Sequence, residues 1–148
     1  MKRLLSVFVA LLLAFEFLPV AGYATEVETI LFDDGSYATI EIICSGTRLS
    51  GSKTGSKTYT YYNSDSVMQW KVTLTGSFTY NGASSMCTDS DITIDLYNSN
   101  CYIVSQVAGK EGNIARGSAT IGLRFLGITV EKKSASLTLT CDADGNLS

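Results

Sequence analysis

From Met68 to Tyr80 the chain alternates strictly between two kinds of residue. Met68, Trp70, Val72, Leu74, Phe78 and Tyr80 fall on one set of positions, and Gln69, Lys71, Thr73, Thr75, Ser77 and Thr79 on the other. A period of two places each set on its own face of a β-strand, one buried and one solvated. Gly76 permits either one long strand or two joined at a bend. The same alternation recurs in "ITIDL" (92–96) and "SLTLTC" (136–141), and no stretch beyond residue 24 shows a helical period. Turn chemistry separates the runs. Asp34-Gly35 and Asn81-Gly82 are hairpin signals, because these residues tolerate positive φ. "NSN" (98–100), "GKEG" (109–112) and "EKK" (131–133) predict three further reversals, and 45–57 reads as a Gly/Ser/Thr-rich linker or long loop. The expected fold is all-β, an antiparallel meander forming a small β-sandwich or an open barrel.

Register follows from matching faces across each turn. A four-residue turn at 63–66 sets Tyr61 opposite Met68 and Tyr59 opposite Trp70, so two tyrosines of "TYTYYN" (58–63) enter the core and Tyr62 points outward. Around Asn81-Gly82, Cys87 faces inward. Between Cys87 and Ile92 the apolar positions change from odd to even, which predicts a β-bulge within "TDSD" (88–91). Across "GKEG", Val104 should face Gly117 and Tyr102 should face Ala119. Cys141 shares the inward face of Leu137 and Leu139, and Cys44 that of Ile40 and Ile42. A three-residue "NSN" turn would point Cys101 outward.

The N terminus changes the picture of where the protein works. Lys2 and Arg3 precede "LLSVFVALLLAFEFLPV", and small residues at Gly22 and Ala24 follow, the pattern of a secretory signal peptide cut after Ala24. The expected organisation is a signal peptide at 1–24, an N-terminal hairpin at 25–44, the linker or loop at 45–57 and a β-sandwich domain at 58–148. Beyond residue 24 the chain has nine Lys/Arg and thirteen Asp/Glu, an acidic balance that argues against a nucleic-acid partner. No later apolar stretch reaches spanning length, so no membrane contact is expected after cleavage. Four cysteines in an exported chain point to disulfides, with three connectivities open. Two inward cysteines on different strands suit a Cys87–Cys141 bridge, which closes a loop whose constraint contributes about 4 kcal/mol in the chain-entropy model. A Cys44–Cys101 bond is the possible second.

Candidate chemistry is sparse. The chain contains no histidine, which excludes Ser-His-Asp and Cys-His catalysis and histidine-ligated metals. "GSKTGSK" (51–57) has the glycines of a phosphate loop but no helix-forming segment after it. Asp89, Asp91 and Asp95 could serve a hydrolase only if two of them faced one cleft, or hold calcium weakly; alternation puts Asp91 and Asp95 on the solvent face. The terminal "DADGNLS" lacks the spacing of a calcium loop. No cofactor and no metal site is expected. The exposed aromatics best suited to binding are Tyr62 and Tyr97.

The segments "ILFDDGSY", "GSKTYTYYNSD", "WKVTLTGSFTYNG", "RFLGITVEKK" and "LTLTCDADGNLS" together resemble a family of small secreted proteins from Gram-positive, Clostridia-type bacteria. The resemblance spans nearly all of the chain beyond residue 24 and extends to the contexts of Cys87 and Cys141, whereas an aromatic residue is common at the position of Cys101. It implies a bacterial, extracellular protein and brings no substrate, catalytic residue or partner with it. The leading expectation is a non-enzymatic extracellular binding module for a protein, glycan or cell-wall ligand. The alternative is a self-associating structural or toxin-like effector protein that uses strand edges as its interface.

Overall fold

The computed structural model describes residues 23–45 and 51–148. The expected signal peptide therefore lies outside the described residues, apart from Tyr23 and Ala24, which open the first strand. Eight antiparallel strands follow in chain order: β1 (Tyr23–Leu31), β2 (Tyr37–Ser45), β3 (Ser52–Tyr62), β4 (Met68–Tyr80), β5 (Ser85–Leu96), β6 (Cys101–Glu111), β7 (Ile114–Phe125) and β8 (Ile128–Thr140). They form two meanders, a five-stranded sheet β1-β2-β3-β4-β5 and a three-stranded sheet β6-β7-β8. β7 and β8 pack over β3 and β4, and the fold is a small two-sheet sandwich rather than a closed barrel.

The alternation at 68–80 forms one strand, unbroken at Gly76, and Trp70, Val72, Leu74 and Phe78 are buried along it. Tyr59 and Tyr61 are core residues, as the alternation predicts. Their register differs by two from the expected one: Tyr61 pairs with Trp70 and Tyr59 with Val72, because a longer turn and a bulge between Tyr61 and Tyr62 intervene. A shift of two preserves faces, so the burial assignment survives. The bulge in β5 occurs where the change of parity requires it. Phe78 pairs with Cys87 and Ser77 with Asp89, so Thr88 is the extra residue that lets Cys87, Ile92 and Ile94 share the inner face.

Other expectations are corrected. Residues 52–57 are not linker: they are the first half of β3, paired with β4 throughout and with β2 from Thr54 on, and join the N-terminal hairpin to the rest of one continuous sheet. "NSN" is a corner carrying the chain from one sheet to the other, not a hairpin within a sheet. The β6–β7 reversal is at Gly112-Asn113, with Glu111 paired to Ile114. Tyr102 consequently faces Gly122, and it is Ala108 that faces Gly117. "EKK" lies within β8, and the reversal before it is at Leu126-Gly127.

Small residues let the sheets approach. Ala115, Gly117, Ala119 and Ala135 line the inner face of the second sheet. A Cβ on Gly117 would stand 3.0 Å from Leu74 Cδ1 and 3.2 Å from Ile92 Cδ1, so the glycine admits a close approach of β7 to β4 and β5. The C-terminal segment closes one end of the sandwich: Cys141 bridges Leu147, and Gly82 N–H donates to Ala143 O. The opposite end stays open.

Candidate functional site

At that open end the two sheets and three connections surround a cleft of about 190 Å³. Its apolar wall follows from alternation. Tyr61 and Trp70 come from adjacent inward positions on β3 and β4, and Trp70 stacks on both Tyr61 (5.2 Å between centroids) and Tyr59 (5.4 Å). Ile121 and Leu123 of β7 face them from the second sheet. Polar groups converge on the rim: Asp34 and Ser36 from the β1–β2 turn, Asn63 and Ser64 from the β3–β4 turn, and Gln69 from the start of β4.

Lys133 is the centre of the rim. In β8 it shares the inward parity of Ala135 and Leu137 and pairs with Ile121, but the core ends here and the side chain turns into the cleft, 20 % exposed. Its Nζ lies 3.2 Å from Glu131 Oε1 and 3.5 Å from Asp34 Oδ2, and 4.7 Å from the ring centroids of both Phe32 and Tyr61. Burial works against the charge, but hydrogen bonds with Tyr61 and Glu131 prevail and raise its pKa above the ordinary lysine value. The amine is therefore a cation held between Glu131 and Asp34. Asp34 is held below the usual carboxylate range, first by hydrogen bonds from the Ser36 hydroxyl and backbone N–H, with Lys133 adding to the effect. Gln69 ties the rim together: its amide donates to Val67 O at 2.9 Å, and its side-chain oxygen accepts from Asn98 Nδ2 at 2.6 Å.

Cys101 also lines the cleft, packed against the core and pointing inward, contrary to the outward orientation expected from a three-residue turn. The corner between sheets reverses the parity that a hairpin would have given. Burial, and secondarily the Glu131 charge, push its thiol pKa up, so it is a protonated thiol. The cleft thus offers two carboxylates, an ammonium, amides and hydroxyls around an aromatic wall. It can recognise a small polar ligand by hydrogen bonds, with the packed edges of Tyr61 and Trp70 as an apolar wall.

The structure distributes the sequence-derived candidates elsewhere. Tyr62 is on the outer face, as expected, but half-buried because it stacks on Tyr37 at 4.7 Å and 11°. Tyr97 is exposed beside the corner, with Lys71 Nζ 6.0 Å from its ring. Neither lines the cleft. Asp89, Asp91 and Asp95 lie on the outer face of β5 opposite Ser77, Thr75 and Lys71, and Asp95 is paired with Lys71 at 3.2 Å. They share an open sheet surface, not a cleft, and among the described residues no cluster of His, Cys, Asp or Glu is arranged for a metal ion. In "DADGNLS", Asp142 accepts from Asp144 N–H, Asn146 N–H and the Asn146 amide, which makes it a turn cap.

All four cysteines are free thiols in this structure. Cys87 and Cys141 are nevertheless neighbours: their backbone N–H groups donate to Gly112 O and Asn113 O, consecutive residues of one turn, and both side chains are buried. Cys44 and Cys101 are not placed for a bond. Cys44 is in the row of Gly55 and Gly76, six residues along β2 from Ala38, which pairs with Tyr61 at the cleft. Six residues of strand span about 20 Å, beyond any disulfide.

Lys133, Glu131 and Asp34 were missed as site residues. The signal was present for Lys133, since counting back from Leu137 in twos reaches it, but Lys132-Lys133 reads locally as a turn. The fold and the cleft together define a two-sheet antiparallel β-sandwich with a polar, aromatic-walled end pocket. No protein-family model, curated protein or solved structure matches the chain.

Proposed function

We propose that this chain is an exported, non-enzymatic binding module that takes a small polar ligand, of the glycan class, into the end cleft beneath Lys133. The observation that carries this reading is the convergence of Asp34, Gln69, Glu131 and Lys133 on an aromatic wall of Tyr61 and Trp70. Interleaved donors and acceptors of both signs over an aromatic surface suit an uncharged, hydroxyl-rich molecule better than a phosphate or an apolar one. The leader-like N terminus and the resemblance to small secreted bacterial proteins support export, and export in turn supports oxidation of the adjacent Cys87 and Cys141 to a disulfide.

The test is retention on a glycan array and on cell-wall glycan, followed by titration calorimetry with wild type, Glu131→Gln and a Tyr62→Ala/Tyr97→Ala double variant. Loss of affinity in Glu131→Gln with retention in the tyrosine variant is expected. The reverse pattern would move the site to the outer face, and absence of retention on any glycan would reject the reading.

A second reading, self-association, has one observation in its favour. β6 is an edge strand, and Ile103, Val104 and Val107 on it are exposed. A mass in solution that rises with concentration would support it, and a strict monomer would remove it.

A further inference from the structure

The β7–β8 hairpin carries apolar residues at its free end. Phe125 pairs with Ile128 around a two-residue turn in which Leu126 (φ 50°) and Gly127 (φ 79°) are both left-handed, the geometry of a type I′ turn. Asn, Asp or Gly is the favoured residue at the first of these positions, and leucine there is sterically disfavoured. Leu126 recovers nothing from the core, being 87 % exposed, and Phe125, Ile128 and Val130 around it are more than half exposed. Val130 is the extra residue of a bulge, since Leu123 pairs with Glu131 and Arg124 with Thr129.

The tip has basic shoulders. Arg124 stacks over the Tyr102 ring at 4.0 Å, Lys132 pairs with Gly122, and neither forms an ion pair among the described residues. The one carboxylate on this stretch, Glu131, is occupied by Lys133. A chain of formal charge −3 therefore presents two cations without ion-pair partners, both on the outer face of the hairpin, beside four exposed apolar side chains. Apolar residues at an exposed tip, flanked on one face by two long cationic side chains, match the interface of an anionic bilayer: acyl boundary at the tip, phosphates at Arg124 and Lys132. We propose that the Phe125–Val130 hairpin tip inserts peripherally into anionic bilayer surfaces. The absence of a spanning segment, which led to the expectation of no membrane contact, does not bear on a contact of this kind. The proposal stands independently of the ligand cleft.

Co-sedimentation with vesicles of mixed phosphatidylglycerol and phosphatidylcholine, against phosphatidylcholine alone, tests it on the full chain. Wild type should bind the anionic vesicles. Leu126→Asn places a preferred residue in the turn, so folding is kept while binding should fall by about tenfold. Arg124→Gln/Lys132→Gln should abolish the preference for the anionic vesicles. Failure of wild type to bind overturns the proposal, as does binding that Leu126→Asn leaves unchanged. Concentration-dependent self-association lost in Leu126→Asn, without vesicle binding, also overturns it and makes the tip an interface between copies.

Discussion

Gly117 and Leu74 meet across the sandwich, and their coupling tests the packing of one sheet over the other. Leu74 is fully buried on β4, and Gly117 lies opposite on β7. A methyl group at residue 117 would be 3.0 Å from Leu74 Cδ1, a few tenths of an ångström too close. In the wild-type background Gly117→Ala gains about 0.5–1 kcal/mol from the stiffer backbone but incurs overpacking strain of about 1–3 kcal/mol. The net expectation is a loss of about 1 kcal/mol. Leu74→Ala alone should cost about 3 kcal/mol through lost burial and the remaining cavity. In that background the closer clash is gone, the 3.2 Å approach to Ile92 Cδ1 is relieved by its movement into the vacated space, and the new methyl fills part of the hole. Gly117→Ala then gains its backbone contribution plus about 0.8 kcal/mol for one buried carbon. The same substitution should therefore change sign, with a coupling energy of about 2 kcal/mol. Urea unfolding of the four proteins measures it, provided the m-values agree. Equal effects of Gly117→Ala in both backgrounds, within about 0.5 kcal/mol, would refute the packing of β7 over β4.

Two further predictions concern the cysteines and acid. In protein recovered from an oxidising compartment, peptide mass analysis without reduction should link Cys87 to Cys141, while Cys44 and Cys101 remain open to alkylation after unfolding; a Cys44–Cys101 link would contradict the row separation along β2. Asp34 and Asp142 both titrate below the ordinary aspartate value of 3.8, because Ser36 and Asn146 respectively donate hydrogen bonds to their carboxylates. A lowered folded-state pKa contributes stability that is present above 3.8 and lost as pH falls through the folded value. Asp142→Asn should thus lower stability near neutral pH and flatten its acid dependence, read as the thermal midpoint across the acid limb; an unchanged acid limb would show that the cap does not couple to folding.

The strands and most of their faces were legible in the sequence. Period-two alternation is a local property, and a strand with one buried face must display it whatever lies across the core. Tyr59, Tyr61, Trp70 and Leu74 could be assigned to the interior on that ground, and even the bulge at Thr88 was implied by a change of parity between Cys87 and Ile92. The reversals at Asp34-Gly35 and Asn81-Gly82 occur where they were expected, but those at "NSN", "GKEG" and "EKK" do not. "GKEG" and Gly112-Asn113 are equally good turn signals on chemistry alone, and the choice shifts the pairing of β6 by four residues near the turn and three beyond its bulge. Residues 52–57 have poor strand propensity, and they are held in β3 by β4 on one side, by β2 on the other from Thr54 on, and by Leu147, with which a side chain at Gly55 would collide.

Composition and order along the chain determined that this sequence is all-β in pattern and has no histidine to offer. Only the tertiary structure decided which strands belong to which sheet, and with that the site. Asp34 is separated from Glu131 and Lys133 by nearly a hundred residues, and it reads as turn chemistry until β8 is laid across the end of β3. Face alternation is decided within a few residues, but a cleft between sheets depends on how two finished surfaces dock, and that is a property of the whole core.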